Sequence, residues 1–335
     1  MYSDDDLDSA VQAGVLTAND VHGFRQHIKQ SRVTPAVDEE YFRLVTGFND
    51  IFVVIACLLL LVSIVWIGKS ESLLLGAVLQ AGAAWGLAEY FTRKRRMALP
   101  SIVLLLAFVG GVFAIGLSAQ VEAGVTADEF KLAIPAAIAA IAAWCHWLRF
   151  KVPITVAAGT VAIVTMIMAV ILSYLPSEHS LLMPIVFIAG VSVFLLAMKW
   201  DSSDTVRQTR RSDVAFWLHL IAAPLIVHPI FSVLNIFDSN VGIAQAVAVA
   251  VLYIFIAVIS ISIDRRAMMV SALIYVLYAF NTLLEQYGIV SLGFAFTAFS
   301  IGSGLLLLSA FWHVCRKALL PIYPETIRNK LPALR

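Results

Sequence analysis

Ten apolar runs of about 20 residues recur from Phe48 onward, and a helical run of that length covers a hydrocarbon core of about 30 Å. Lipid offers backbone N–H and C=O groups no partner, so such runs cross a membrane as helices whose hydrogen bonds are internal. They extend approximately over Phe48–Gly68, Ser72–Phe91, Leu99–Ala119, Phe130–Leu148, Pro153–Leu175, Ser180–Ala197, Asp213–Asn235, Val241–Ile263, Ala267–Leu284 and Val290–Val314. The 335-residue chain is 61% hydrophobic and 13% charged, with a mean hydropathy of +0.89, which excludes a soluble reading. The expected fold class is an all-α integral membrane bundle of about ten transmembrane helices.

The basic residues orient it. Lys and Arg retained in short loops mark the cytoplasmic side. Alternate loops hold Arg93 to Arg96, then Arg149 and Lys151, then Lys199, Arg207, Arg210 and Arg211, then Arg265 and Arg266. With the leader and the C-terminal segment, 21 of the 23 basic residues fall on one side, and only Lys69 and Lys131 on the other. One missed or invented helix would invert every later loop and erase this asymmetry. Both termini are therefore expected in the cytoplasm. Tyr90, Trp144, Trp147, Trp200, Trp217 and Trp312 fall near the same interface, as an aromatic belt would. Gly82, Gly86, Gly110, Gly111 and the alanines from Ala136 to Ala143 should allow close helix approach.

The chain divides into three regions: a cytosolic helical leader over 1–47, the bundle over 48–315 and a basic cytosolic tail over 316–335. In the leader, Ser3 with Asp6 and Thr17 with Asp20 have capping-box-like spacing, Tyr2/Leu7 and Leu16/Val21 can form staples, and Gly14 can end the first helix. Val21, Phe24 and Ile28 share one face of the second helix, an apolar area too small to fold alone. That face is expected to pack on the bundle or on a cytosolic protein partner. Asp38, Glu39 and Glu40 favour a further helix start before Tyr41, Phe42 and Leu44. The acidic leader lacks the short basic region of a cleavable signal, so the first span is expected to stay as an anchor.

Two local similarities suggest a repeat. Arg95-Arg96-Met97-Ala98 opens span three and Arg265-Arg266-Ala267-Met268 opens span nine, 170 positions later. Trp144-Cys145-His146-Trp147-Leu148-Arg149 closes span four and Phe311-Trp312-His313-Val314-Cys315-Arg316 closes span ten, at an offset of 167. Six spans is an even displacement, so spans 1–4 and 7–10 would be parallel repeats related by an axis along the membrane normal. Recurrence of arginines and aromatics at any cytoplasmic helix end is the plainer reading.

Few polar side chains lie within the spans, where they mark substrate paths or helix-to-helix bonds. Glu89 stands one turn before Arg93, as an interfacial ion pair or a substrate-facing carboxylate. His219 and His228 share span seven with Pro224 and Pro229. Nine residues put the histidines about 180° apart on a straight helix, which argues against a shared metal ion. Pro224 should kink the span and free a carbonyl. His219, Pro224, His228, Asn281, Gln80 and Glu89 are the candidate cavity-lining set, with helix-to-helix hydrogen bonding as the alternative role. His146 and His313 read as interfacial anchors, and Thr155, Thr160 and Thr165 as packing groups. Cys57, Cys145 and Cys315 have no CxxC or metal spacing. No P-loop, GxGxxG, GxSxG or HExxH motif occurs, so nothing points to catalysis, a cofactor or a bound metal. A net charge of +1 without a continuous basic surface argues against a nucleic-acid partner.

The stretch Trp85-Gly86-Leu87-Ala88-Glu89-Tyr90-Phe91 with Arg93 to Ser101, and the stretch from Phe216 to Phe231, resemble those of a family of uncharacterised bacterial predicted integral membrane proteins, which have a short helical leader before a many-span bundle. The resemblance implies a bacterial inner-membrane setting with the lipid bilayer as partner, and no activity or site residue. Ten spans with little mass outside the membrane suggest a carrier or flippase for a small or lipid-linked substrate. A non-catalytic scaffold or sensor recruiting a partner through the leader is the alternative.

Overall fold

The computed structural model describes residues 4–31, 48–124, 132–174, 181–205, 207, 209–234, 242–286 and 293–332. The chain divides into a leader unit, Met1–Phe42, and a bundle unit, Arg43–Leu334. In the leader, α1 (Asp4–Gln12) and α2 (Ala18–Ser31) are joined through Gly14, whose φ of +71° suits a residue without a side chain. Thr17 and Asp20 form the expected reciprocal cap. The Asp20 carboxylate accepts from the Thr17 N–H at 3.0 Å, and the Asp20 N–H donates to Thr17 Oγ1 at 3.1 Å. Val21 is buried and Phe24 exposed. The Ser3 cap, the Tyr2 staple and the helix start at Asp38 lie outside the described residues.

In the bundle unit, the helices are α3 (Phe48–Lys69), α4 (Leu73–Ala88), α5 (Ala98–Glu122), α6 (Ala133–Phe150), α7 (Ile154–Ser173), α8 (Leu182–Ser202), α9 (Arg210–Val233), α10 (Ile243–Ile263), α11 (Ala267–Gln286), α12 (Gly293–Ala310), α13 (Trp312–Leu319) and α14 (Glu325–Arg328). No strand occurs among the described residues. Nine helices there are long and apolar enough to cross a membrane, and α12 with α13 makes a tenth if that bent pair is one span. The chain thus has the helices of a multi-pass membrane protein. The expected tenth run, Val290–Val314, does not stay straight: the chain turns by 67° near Phe311. Pro224 and Pro229 lie inside one uninterrupted α9, because each proline removes a single backbone hydrogen bond while the rest of the ladder persists.

α4 runs on into a π-helical turn, Glu89–Lys94, in which the Arg95 N–H reaches the Tyr90 carbonyl at 3.0 Å. α9 is the central helix, with 56% of its apolar window buried against 39% or less in every other span. It packs on α7, α8 and α11, whereas α3 packs on α4 and α5. The main core gathers Leu218, Ala222, Val227 and Phe231 of α9 with Val193 and Ala197 of α8, Ala272 and Ala279 of α11, and Leu320 and Leu331 from the C-terminal segment. That segment packs with the bundle through these two leucines.

Small residues set the closest approaches, as expected where lipid supplies no hydrophobic force between helices. A Cβ on Gly116 would lie 2.8 Å from Pro135 Cα, and one on Gly190 2.7 Å from the Leu225 carbonyl carbon. Of the glycines singled out from the sequence, Gly111 meets Ala81 in this way, while Gly82, Gly86 and Gly110 face open space. Ala136, Ala139, Ala142 and Ala143 are buried along α6.

Candidate functional site: a buried arginine–aspartate cluster

Helix ends create the need that this cluster meets. A helix C-terminus carries partial negative charge and unpaired carbonyls, so a carboxylate there is unfavourable unless cations cover it. Asp201 lies in the last turn of α8, and Asp264 is the residue that ends α10. Both are buried. Three arginines supply the cover, from the α8–α9 connection (Arg207), the start of α11 (Arg265) and α13 (Arg316), and all three are buried as well.

Arg265 takes Asp201 as a fork, Nη2 donating to Oδ1 at 2.8 Å and Nε to Oδ2 at 3.3 Å. It also donates to the Ser212 carbonyl at 3.1 Å and to Ser212 Oγ at 3.2 Å, which ties α8, α9 and α11 together. Arg207 donates through Nη1 to Asp264 Oδ2 at 2.9 Å, and through Nη2 to the carbonyls of Asp264 at 2.9 Å and Ile263 at 3.2 Å. Its guanidinium therefore caps α10. Arg316 Nη1 lies 3.3 Å from Asp264 Oδ2 and Nη2 donates to the Pro332 carbonyl, while the Trp312 indole N–H donates to Asp264 Oδ1 at 2.8 Å.

Local backbone places these groups. Asp264 and Arg207 both have φ of +57°, a left-handed conformation uncommon for residues with side chains. At Asp264 it reverses the chain between α10 and α11, and the Arg265 N–H closes on the Ser260 carbonyl at 3.0 Å. Beside Arg207, the Asp204 carboxylate accepts from the N–H and hydroxyl of Thr209, the residue that caps α9. Burial, and next the charge of Arg265, push the Arg207 guanidinium below its ordinary pKa, opposed by Asp201 and Asp264. An arginine so placed stays cationic.

His219 is the one sequence-selected residue at the cluster. It is fully buried, with Nε2 3.5 Å from Asp201 Oδ2 and the Phe194 ring edge-on at 5.3 Å. The others stand elsewhere. His228 Nδ1 and the Tyr275 hydroxyl are 2.8 Å apart, joining α9 to α11. Gln80 donates to the Ala107 carbonyl at 3.3 Å, joining α4 to α5. Pro224 is exposed and Asn281 half-buried. Glu89 pairs with Arg93 at 3.3 Å and, by a fork the spacing did not disclose, with Arg149 at 2.7 and 3.1 Å. Two apolar grooves, of about 340 Å³ between α7 and α8 and about 490 Å³ between α3 and α4, include none of these six residues.

His146, expected as an interfacial anchor, and Trp312, expected in the aromatic belt, are both buried inside the bundle. His146 is buried among Trp85, Phe108 and Phe150, with Nδ1 3.3 Å from the Thr155 hydroxyl. Trp312 is buried against Asp264, and Arg266 stacks over its ring at 4.9 Å. Trp144 is exposed as a belt residue would be. Among the described residues, no three His, Cys, Asp or Glu side chains converge as metal ligands would. The cluster has no local signature: in the sequence Arg207 and Arg265 stand as loop charges and Arg316 as a charge of the tail. The available signal was Asp201 and Asp264, carboxylates at span ends on a side otherwise rich in cations. Comparison with family models, with curated proteins and with solved structures gives no match.

Proposed function

We propose that this chain is a carrier of the bacterial inner membrane, kin to the uncharacterised family it resembles, with ten spans, both termini in the cytoplasm and a small or lipid-linked substrate. The observation that carries this reading is the buried cluster. Asp201, Arg207, Asp264, Arg265 and Arg316 join the ends of spans six, eight and nine, cytoplasmic in this reading, and α13, the second half of the bent tenth span, the elements that would part to admit a substrate. Buried ion pairs are weak evidence for stability, and their best-attested use is to fix one arrangement among several. In this reading they are the closed cytoplasmic gate. The parallel repeat belongs to the same proposal: Glu89–Arg149 ties the end of span two to the end of span four, Asp264–Arg316 ties the end of span eight to the second half of the bent span ten, and the two arginines are 167 positions apart.

The second reading, a non-catalytic scaffold that recruits a cytosolic partner through residues 1–47, is favoured by the hydrogen bonds of Gln80 and His228 to neighbouring helices and by their absence from the two grooves. Labelling of Asn281→Cys with a hydrophilic maleimide separates the two. In a carrier, adding Asp201→Asn raises the reactive fraction several-fold, because the gate loosens. A cysteine equally unreactive in both backgrounds favours the scaffold. A substrate screen comparing wild type with His228→Ala then narrows the cargo.

A further inference from the structure

The Asp201 carboxylate is unevenly held. Oδ1 accepts Arg265 Nη2 at 2.8 Å, a short charge-assisted bond. Oδ2 faces three nitrogens from three segments: Arg265 Nε at 3.3 Å, His219 Nε2 at 3.5 Å and Arg207 Nη2 at 3.8 Å. None closes to the 2.7–2.9 Å or so expected of a strong N⁺–H···O⁻ bond. The imidazole of His219 is fully buried, and neither ring nitrogen makes a hydrogen bond within normal limits. A buried polar side chain left unpaired is costly, which points to a second arrangement in which it is paired.

We propose that His219 is a proton-binding site and that the proton is the coupling ion of the carrier, an inference that rests on the reading of the cluster as a gate. A cytoplasmic hydronium ion gives its proton to His219 Nε2: an N–H bond forms, one O–H bond of the donor breaks to leave water, and the imidazole gains one positive charge. The imidazolium N–H then draws Asp201 Oδ2 to itself. Arg207 loses its weaker carboxylate, and Arg265 Nε loses its partner while Nη2 keeps Oδ1. Arg207 remains on Asp264 and the carbonyls of Ile263 and Asp264, so the connection carrying it separates from the end of α8. Proton binding and gate opening are linked, each promoting the other.

The charges around His219 are few. α8 presents Asp201, the α8–α9 connection Arg207, and α11 Arg265. Asp264 and Arg316 lie behind Arg207. On its own helix Asp213, half-buried, precedes His219 by six residues, and α7 has no ionisable side chain between Ile154 and Ser173. Histidine is the member of this set whose ordinary titration lies in the physiological range.

Hydrogen exchange of the full chain in lipid nanodiscs, with the proton itself as the probe, tests this. Corrected for intrinsic exchange chemistry, amides at the end of α8 and the start of α11 should lose protection about tenfold between roughly pH 8 and pH 5.5, the consequence of about one unit of linkage. His219→Gln should abolish that dependence, and Asp201→Asn should leave the same amides open at every pH. An unchanged pH dependence in His219→Gln, or none in wild type, overturns the proton site. Amides that stay protected in Asp201→Asn overturn the gate instead, so the two failures are distinguishable. If His219→Gln does not fold, imidazole nitrogen resonances of the wild type decide: His219 titrating together with the opening supports the site, and no titration over that range overturns it.

Discussion

Arg265 holds Asp201 across 64 positions of sequence, with both residues buried and a two-pronged contact of 2.8 and 3.3 Å between the end of α8 and the start of α11. Removing one partner strands the other charge. Asp201→Ala should cost about 3–5 kcal/mol, measured by denaturation in detergent micelles. The apolar double variant Asp201→Leu with Arg265→Met should cost much less than either single removal. A single-variant loss below about 1 kcal/mol would contradict the closed pair.

Glu89 offers the contrast. Its fork to Arg149 is as short as the one at Asp201, yet the two side chains keep 32% and 41% of their exposure. Solvent screens such pairs, and Glu89→Gln should cost no more than about 1 kcal/mol under the same conditions.

Packing between α8 and α9 depends on Gly190. A methyl group there meets the backbone of Leu225, which has no side-chain freedom to yield. Gly190→Ala should destabilise by about 1–3 kcal/mol. Gly82→Ala, with nothing within 4 Å of the added carbon, should be neutral or stabilising by up to about 1 kcal/mol.

The partition of basic residues predicts the topology. In a cysteine-free background, a membrane-impermeant thiol reagent should label Asp128→Cys from outside and Ser202→Cys only after access to the cytoplasmic face. Labelling of both from one face would refute the proposed orientation.

Asp20 gives the leader a pH dependence of known sign. Hydrogen bonds from the side chain and backbone of Thr17 hold its carboxyl below the usual carboxylate range. A depressed folded-state pKa means the stabilisation is complete above the unfolded value of about 4 and is lost as the pH falls through the folded one. Amide exchange in the first turn of α2 should speed up below about pH 4; Thr17→Ala should weaken that dependence, because the backbone N–H of residue 17 still reaches the carboxylate, and Asp20→Asn should remove it.

Runs of apolar residues made the spans legible because each must satisfy its backbone alone, a constraint written locally. The Thr17–Asp20 cap was legible for the same reason. The cluster was not: Arg207 reaches Asp264 over 57 positions and Trp312 reaches it over 48, and no local spacing encodes such pairs. Composition placed Arg316 in a basic tail and carried no sign of its packing; Leu320 and Leu331 bury in the core on either side of α14. Pro224 does not interrupt α9, since a proline removes one donor while the neighbouring bonds persist, and the chain turned at Phe311, where no proline stands.

Trp312, Arg316 and Pro332 come after every helix long and apolar enough to span on its own. During synthesis the earlier spans can therefore enter the bilayer while Asp264 still lacks two of its partners. Until the ribosome delivers the residues beyond α12, Asp264 has the Arg207 guanidinium but neither Trp312 nor Arg316. Closure of the network is then a late step in biogenesis, and a chain interrupted after Ala310 would lack the Trp312 and Arg316 contacts that complete the cover of Asp264.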